Sequence, residues 1–393
     1  MMTDVHPAAE RGFSTGEFEQ RTAMAQKIMA GLGLDALLLT TEPEVRYFTG
    51  FDTIFWLSPT RPWFVVIPAS GAPIAVIPEI GGPSMSLTWI SDIRTWLAPQ
   101  PEDDGISLLA DTLREVMPNG GTLGLPMGHE THVRMPAADF QKLQGRLGGI
   151  SITDGTDVVR RLRMVKSPSE IAKIARICSI ASAAFEDLPN HIRAGDTERQ
   201  AFAKFKIDLL QKGADDVPYL VGSSGAGGVS DVINRPTDRV IAEGDMLLLD
   251  TGSLWGGYSC DFDRNYAFGH ATDAAKSAYD LAWRATEAGL QAARPGITTT
   301  DLWGAMAKVL EEGGCSGHQI GRMGHGLGMQ VTEWPSLMPG DNTVIEAGMV
   351  LTLEPGFAFG GNKMMLHEEN IVIHEDGAEL LSRRAERELP IIT

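Results

Sequence analysis

Cysteine is scarce: there are three, Cys178, Cys260 and Cys315, in 393 residues, widely spaced and forming no CxxC pair. That argues against a disulfide framework or a cysteine-ligated zinc site and fits a reducing compartment, so a cytoplasmic location is expected. Long apolar runs are missing too. No stretch reaches the roughly 18 residues that a membrane span needs. Residues 1–21 lack the basic-then-apolar pattern of a secretory signal, so no membrane partner is expected. Basic residues are in deficit, with 33 Lys+Arg against 51 Asp+Glu and a net charge of −18, which argues against nucleic acid as a partner. Compositional bias is absent as well, because 43% hydrophobic and 21% charged residues describe an ordinary globular chain. Its length leaves room for two domains at roughly 100–200 residues each. The acid excess favours solubility. Carboxylates are also the oxygen ligands from which di-metal sites are built.

The chain reads as two parts. Over residues 1–160, helix signals at Thr15–Gly31 and Gly105–Val116 alternate with short apolar strands at Ala36–Leu39, Pro62–Ile67, Ile74–Ile77 and Gly121–Gly124. That alternation predicts an α/β N-terminal domain. Near residue 160 a basic run gives way to Ser167-Pro168-Ser169-Glu170, the N-cap, first-turn proline and third-position acid of a capping box. A second domain over 161–393 follows. Helices are expected at Ile171–Leu188, Glu198–Lys212, Ala274–Ala293 and Thr299–Gly313, and strands at Asp245–Asp250, Tyr258–Phe268, Met349–Pro355 and Glu369–His374. This grouping predicts an α+β domain on an antiparallel sheet.

Three segments of the second part carry chemistry. In Glu243-Gly-Asp-Met-Leu-Leu-Leu-Asp250-Thr-Gly252, an apolar strand runs into Asp250 at the rim of a core. An unpaired charge there costs several kcal/mol, roughly, unless a cation offsets it. Farther on, strand alternation turns Asp261 and Asp263 to one face and Cys260 and Phe262 to the other. A hairpin through Gly256-Gly257 would set Asp250 beside Asp261. Next, Met323-Gly-His325-Gly-Leu-Gly328 places a histidine between glycines, where backbone can approach closely and a metal can be held. Finally, Glu354 closes the apolar run Met349–Leu353, and His367-Glu368-Glu369-Asn370 follows. Asp250, Asp261, His325, Glu354 and Glu368 are then five candidate ligands. Such a set suits two adjacent divalent ions that share carboxylates. Taken singly, each motif also reads as a turn or cap.

The conjunction and order of EGDMLLLDTGSLWGGYSCDFDR, GHGLGM, AGMVLTLEPG and HEENIVI resemble the pita-bread metallohydrolases: methionine aminopeptidase, aminopeptidase P, prolidase and creatinase. Arg46–Phe51 is similar to the start of the creatinase/prolidase-type N-domain, and Leu162–Glu170 to its linker. The resemblance implies a pita-bread catalytic domain and two divalent ions drawn from Mn, Co, Fe or Zn. Asp261 and Glu368 would bridge them, Asp250 would hold one, and His325 with Glu354 the other. It also implies that Glu354 takes a proton in catalysis. A homodimer is implied as well, with Phe51–Arg61 of one subunit reaching the partner's site.

The resemblance has two gaps. Proline-specific members carry a histidine before an R-P-[ST]-D stretch, where Ile233 or a neighbour stands here, and another seven residues past the ligand histidine, where Thr332 stands. Neither residue shuttles protons near neutral pH. Apolar and aromatic residues surround these positions: Tyr219, Trp255 and Trp334, with Phe55, Trp56 and Trp63 in the N-domain. Each is core packing or, beside a metal site, a ring face for a small substrate. Tyr219, Trp255, Trp334, Trp56 and Thr332 are the candidate substrate contacts. Asp263 either orients a ligand or forms a surface pair with Arg264. The leading expectation is a dinuclear hydrolase of a peptide or amide C–N bond in a short peptide or small molecule. The alternative is a non-peptidase member acting on a small charged solute, like the dimethylsulfoniopropionate lyase or ectoine hydrolase. A binding protein with a vestigial site is a third reading, disfavoured because all five candidate ligands are kept.

Overall fold

The computed structural model describes residues 9–58, 61–315 and 321–393. Two compact units divide the chain, one over Gly12–Arg163 and the other over Met1–Arg11 with Met164–Thr393.

The first unit is built on a six-stranded sheet: β1 (Ala36–Leu39), β2 (Phe64–Pro68), β3 (Ile74–Pro78), β4 (Asp92–Trp96), β5 (Gly121–Leu125) and β6 (Ile150–Asp154). Its order is β4-β3-β2-β1-β5-β6. The outer pairings β3–β4, β1–β5 and β5–β6 are parallel, and the two central ones antiparallel. Every residue of β1 and β3 is buried, as their unbroken apolar runs require. Helices Thr15–Leu32 and Ile106–Val116 form where periodicity places them. Strands β4 and β6, with exposed and half-buried faces, carried too weak an apolar signal to be read from sequence.

The second unit opens with the helix Pro168–Asp187. Its capping box forms as expected: the Glu170 amide donates to Ser167 Oγ at 3.3 Å and the Ser167 amide to Glu170 Oε2 at 2.8 Å. Its strands are β7 (Asp216–Ala226), β8 (Asp245–Trp255), β9 (Tyr258–Ser259), β10 (Phe262–Phe268), β11 (His325–Gly326), β12 (Glu333–Ser336), β13 (Val350–Leu353), β14 (Gly356–Phe359), β15 (Lys363–Leu366), β16 (Glu369–His374), β17 (Gly377–Leu380) and β18 (Ile391–Ile392). They form two five-stranded sheets, one ordered β18-β10-β8-β7 with β9 on β8, the other β12-β11-β13-β16-β17. Strands β14 and β15 form a separate hairpin. All pairings are antiparallel except the short β10–β18 contact. The chain is thus an α/β unit plus an α+β unit, as its patterning predicts.

The hairpin between β8 and β9 turns through Gly256 and Gly257, whose φ of 59° and 83° require a residue without Cβ strain. Strand β8 is longer than its sequence suggests. Asp250 lies in its middle rather than at its end, because the buried run continues through Thr251–Trp255 on small and apolar residues.

Candidate metal centre

Two sheet segments deliver the acids. In the first sheet, Asp250 on β8 faces Asp263 on β10. Carrying the same register one step further sets Asp261 opposite Gly252, two residues along the same face. The hairpin therefore unites the three aspartates on one face, but it pairs Asp250 with Asp263 and leaves Asp261 diagonal to it. Tyr219 on β7 lies across from Gly252, and its hydroxyl donates to Asp250 Oδ2 at 3.2 Å.

In the second sheet, β13 and β16 pair down to Leu353 and Glu369. Beyond that last rung Glu354 and Glu368 stand across from each other. His325 on β11 is held beside them: its amide donates to Thr352 Oγ1 at 3.1 Å, and its Nδ1 lies 2.9 Å from Gly326 O. With Nδ1–H donated to that carbonyl, Nε2 is the ligating nitrogen. It points at Asp261 Oδ2, 3.4 Å away, and Glu354 Oε2, 3.7 Å away. The flanking glycines are a packing requirement: a Cβ on Gly326 would sit 1.9 Å from Trp334 O, and one on Gly324 2.2 Å from Thr352 O.

Ligand atoms of Asp261, His325 and Glu368 lie within 4.8 Å of one another, all three residues buried. Burial pushes the Asp250, Asp261 and Glu368 carboxyls well above the usual range, and for Asp250 and Glu368 neighbouring carboxylates push further. Burial likewise raises Glu354 to about 7, with Asp261 and Asp250 adding to it and the His325 ring opposing. Asp250 Oδ1, Glu354 Oε2 and Glu368 Oε1 are buried without a hydrogen-bond partner among the described residues. Carboxylate oxygens so orphaned, beside an imidazole nitrogen, are the donor set that hard or borderline divalent ions require. The residues fit such ions.

The structure distributes the other expected residues unevenly. Tyr219 joins the acids; burial and their charge raise its phenol, which keeps it a donor. Trp255 does not join them. It lies five residues past Asp250 on the opposite face of β8, with Arg11 stacked 4.8 Å and Lys173 5.8 Å from its ring. Trp56 packs inside the N-terminal unit, 6.0 Å from Trp63 and under Arg134. Trp334 is buried in β12, the strand paired with β11. Thr332 is half-buried immediately before β12, and Ile233 is 71% exposed. Asp263 is no surface residue. It is buried and accepts from Asn265 Nδ2 at 2.8 Å; Arg264 donates to its backbone carbonyl at 2.6 Å, but the guanidinium's ion pair is with Glu369 at 3.0 Å, and it also donates to Glu368 O at 3.0 Å. Asn370 and Asn265 were missed. The only signal for either was a buried amide beside acids in an apolar strand.

A carboxylate-rich candidate metal centre in an α+β unit, preceded in the chain by an α/β unit, defines the class. The chain belongs to metallopeptidase family M24, which matches residues 172–375, and residues 21–165 match the creatinase/prolidase N-terminal domain. Membership implies use of divalent metal. A probable dipeptidase PepE of Mycobacterium tuberculosis is 29% identical over 370 residues, covering 94% of this chain and 95% of that protein. A Xaa-Pro dipeptidase of Lactobacillus delbrueckii is 27% identical, covering 88% and 92%. The crystal structure of dipeptidase PepE from Mycobacterium ulcerans superposes with a TM-score of 0.83 at 28% identity, covering 97% of this chain and 99% of that one.

Proposed function

We propose that this chain is a dinuclear metal-dependent hydrolase that cleaves the C–N bond of short peptides, in the manner of a Xaa-Pro dipeptidase. The observation that carries the reading is the convergence of three buried carboxylates, a half-buried fourth at Glu354 and one oriented imidazole, with three carboxylate oxygens lacking a hydrogen-bond partner among the described residues. Asp250, Asp261, His325, Glu354 and Glu368 are the ligands. Relatives named as dipeptidases support the substrate class. Two divalent ions bound there supply a nucleophile at neutral pH and polarise a carbonyl.

The protein's own groups do the rest. The Nδ1–H to Gly326 O contact holds the His325 tautomer. Tyr219 fixes one Asp250 oxygen. Glu354 is the base: with one carboxylate oxygen given to an ion, the other is the acceptor that would take a proton and pass it on. With Ile233 or a neighbour and Thr332 read at the two histidine positions of proline-specific enzymes, we assign proton handling to the carboxylates themselves.

The test is a screen of Xaa-Pro dipeptides, small amides and betaines against metal-loaded protein, with Asp261→Ala as the control. Free amino acids should appear with wild type and not with the variant. An alkene product from a charged solute would establish elimination instead. Less than one equivalent of Mn, Fe, Co or Zn after purification without chelator would refute the metal centre.

A further inference from the structure

The candidate bridging acids come from different sheets. Asp261 precedes β10 in the first, and Glu368 precedes β16 in the second. No strand pairing joins those sheets among the described residues, so backbone ladders alone do not set the spacing of the two carboxylates.

Side chains bridge them instead: Arg264 donates to Glu368 O at 3.0 Å and Asn265 Nδ2 to Leu366 O at 2.7 Å, and one side chain reaches Asp261 itself. Asn370, fully buried in β16 and two residues past Glu368, accepts the Asp261 amide on Oδ1 at 2.9 Å and donates from Nδ2 to the Asp261 carbonyl. Both backbone polar groups of Asp261 are therefore paired to a single carboxamide, which stands in for a residue of a neighbouring strand. Asn370 is itself held, its side chain by one contact and its backbone by two. The Cys178 thiol donates to Oδ1 at 3.3 Å, the Asn370 amide donates to Ser382 Oγ at 3.0 Å, and its carbonyl accepts the Leu381 amide at 2.8 Å. Only asparagine offers a donor and an acceptor at this reach. Aspartate loses the donor, alanine loses both, and glutamine is a methylene too long.

We infer that Asn370 is a positioning residue that sets the separation of Asp261 and Glu368 and thereby makes the centre able to hold two ions together. The inference rests on the metal-centre reading, and a titration separates the two. Calorimetric titration of chelator-stripped protein with Mn should show two equivalents in wild type. Absence of binding there defeats the metal reading and this inference with it.

Given wild-type binding, Asn370→Ala and Asn370→Asp at pH 8 should each bind metal about 10–100-fold more weakly, as the loss of partners that orient ligands typically does. The expected kinetic signature is a fall in kcat with little change in KM. Aspartate is the discriminating variant because it matches asparagine in size and adds a negative charge. Electrostatics alone would make it bind cations more tightly, whereas lost positioning makes it bind them more weakly. If Asn370→Ala does not fold, Asn370→Asp alone decides.

Tyr266→Phe is the stability control. It removes a buried hydrogen bond of 2.8 Å made to Phe185 O and not to Asp261, Glu368 or Asn370, and it should keep wild-type affinity. Wild-type affinity in Asn370→Asp, or an equal loss in Tyr266→Phe, overturns the proposal.

Discussion

Asp261 shows how one residue serves opposing demands. In the metal-free chain its buried carboxyl has its ionised form disfavoured. With metal bound, that same charge is what holds the ions. Neutralising it should therefore change stability in opposite directions. Chelated Asp261→Asn should melt above chelated wild type at pH 7. Metal-loaded wild type should melt above the metal-loaded variant, since a ligand at 100 times its Kd adds about 2.7 kcal/mol. Differential scanning fluorimetry with and without chelator measures both, and a variant that melts lower in both states would refute the account. The identities of the acids were legible from motif order. Their mates were not, because a two-residue difference in hairpin register leaves every face assignment unchanged while altering which side chains stand opposite.

At the scale of elements, the segment carrying His325 is fastened by a buried ion pair. Lys166 Nζ lies 3.5 Å from Glu333 Oε2, with side-chain exposures of 1% and 2%. Lys166 also donates its amide to Gly348 O at 2.9 Å, next to β13, while Glu333 sits across from Gly326 in the β11–β12 pair. Removing Lys166 takes a countercharge from the buried Glu333 carboxylate, which the Gln330 amide, donating at 3.1 Å, does not replace. Lys166→Met should cost about 3–5 kcal/mol in urea unfolding, and Lys166→Met with Glu333→Leu should recover most of it. A double variant no more stable than the single would show that the charges do not act as a pair. In sequence, Lys166 closes a basic run and Glu333 follows Thr332 with no signal of a partner. They lie 167 positions apart, and only the folded chain brings them into contact.

For the whole molecule, pH acts through two sets of carboxyls with opposite signs. Burial would raise Glu198, but hydrogen bonds from Thr237 and Ser224 outweigh it and hold the carboxyl below its ordinary 4.5. Such a group stabilises the fold above its unfolded pKa, and this is lost as pH falls through the lower folded value. Glu354 is the reverse. Its folded pKa of about 7 lies above the ordinary 4.5, so between those values the native state holds a proton that the unfolded chain has lost. Stability then falls as pH rises, and the Asp250, Asp261 and Glu368 carboxyls, which burial also raises well above their ordinary range, add to the fall. Chelated protein should therefore be most stable near the acid end of this window and lose melting temperature from pH 4.5 to 7. Metal-loaded protein should gain it, because protons and ions compete for the same oxygens. A chelated protein whose melting temperature rises over that range would sink this reading.

Sequence by itself determined the α/β-plus-α+β architecture and the principal helices, and it proposed five residues as ligands, of which Asp261, His325 and Glu368 come within 4.8 Å of one another. Hydrophobic periodicity, capping chemistry and strand-end acids are local signals, written within a few residues of one another. Tertiary structure alone decided the hairpin register, the placement of Trp255 on the far face of β8, the pairing of Arg264 with Glu369, and the clamp of Asn370 on Asp261. Each of these joins positions whose separation along the chain carries no periodic signature. They exist because buried polar groups must find partners, and which partner lies within reach is set only when the sheets come together.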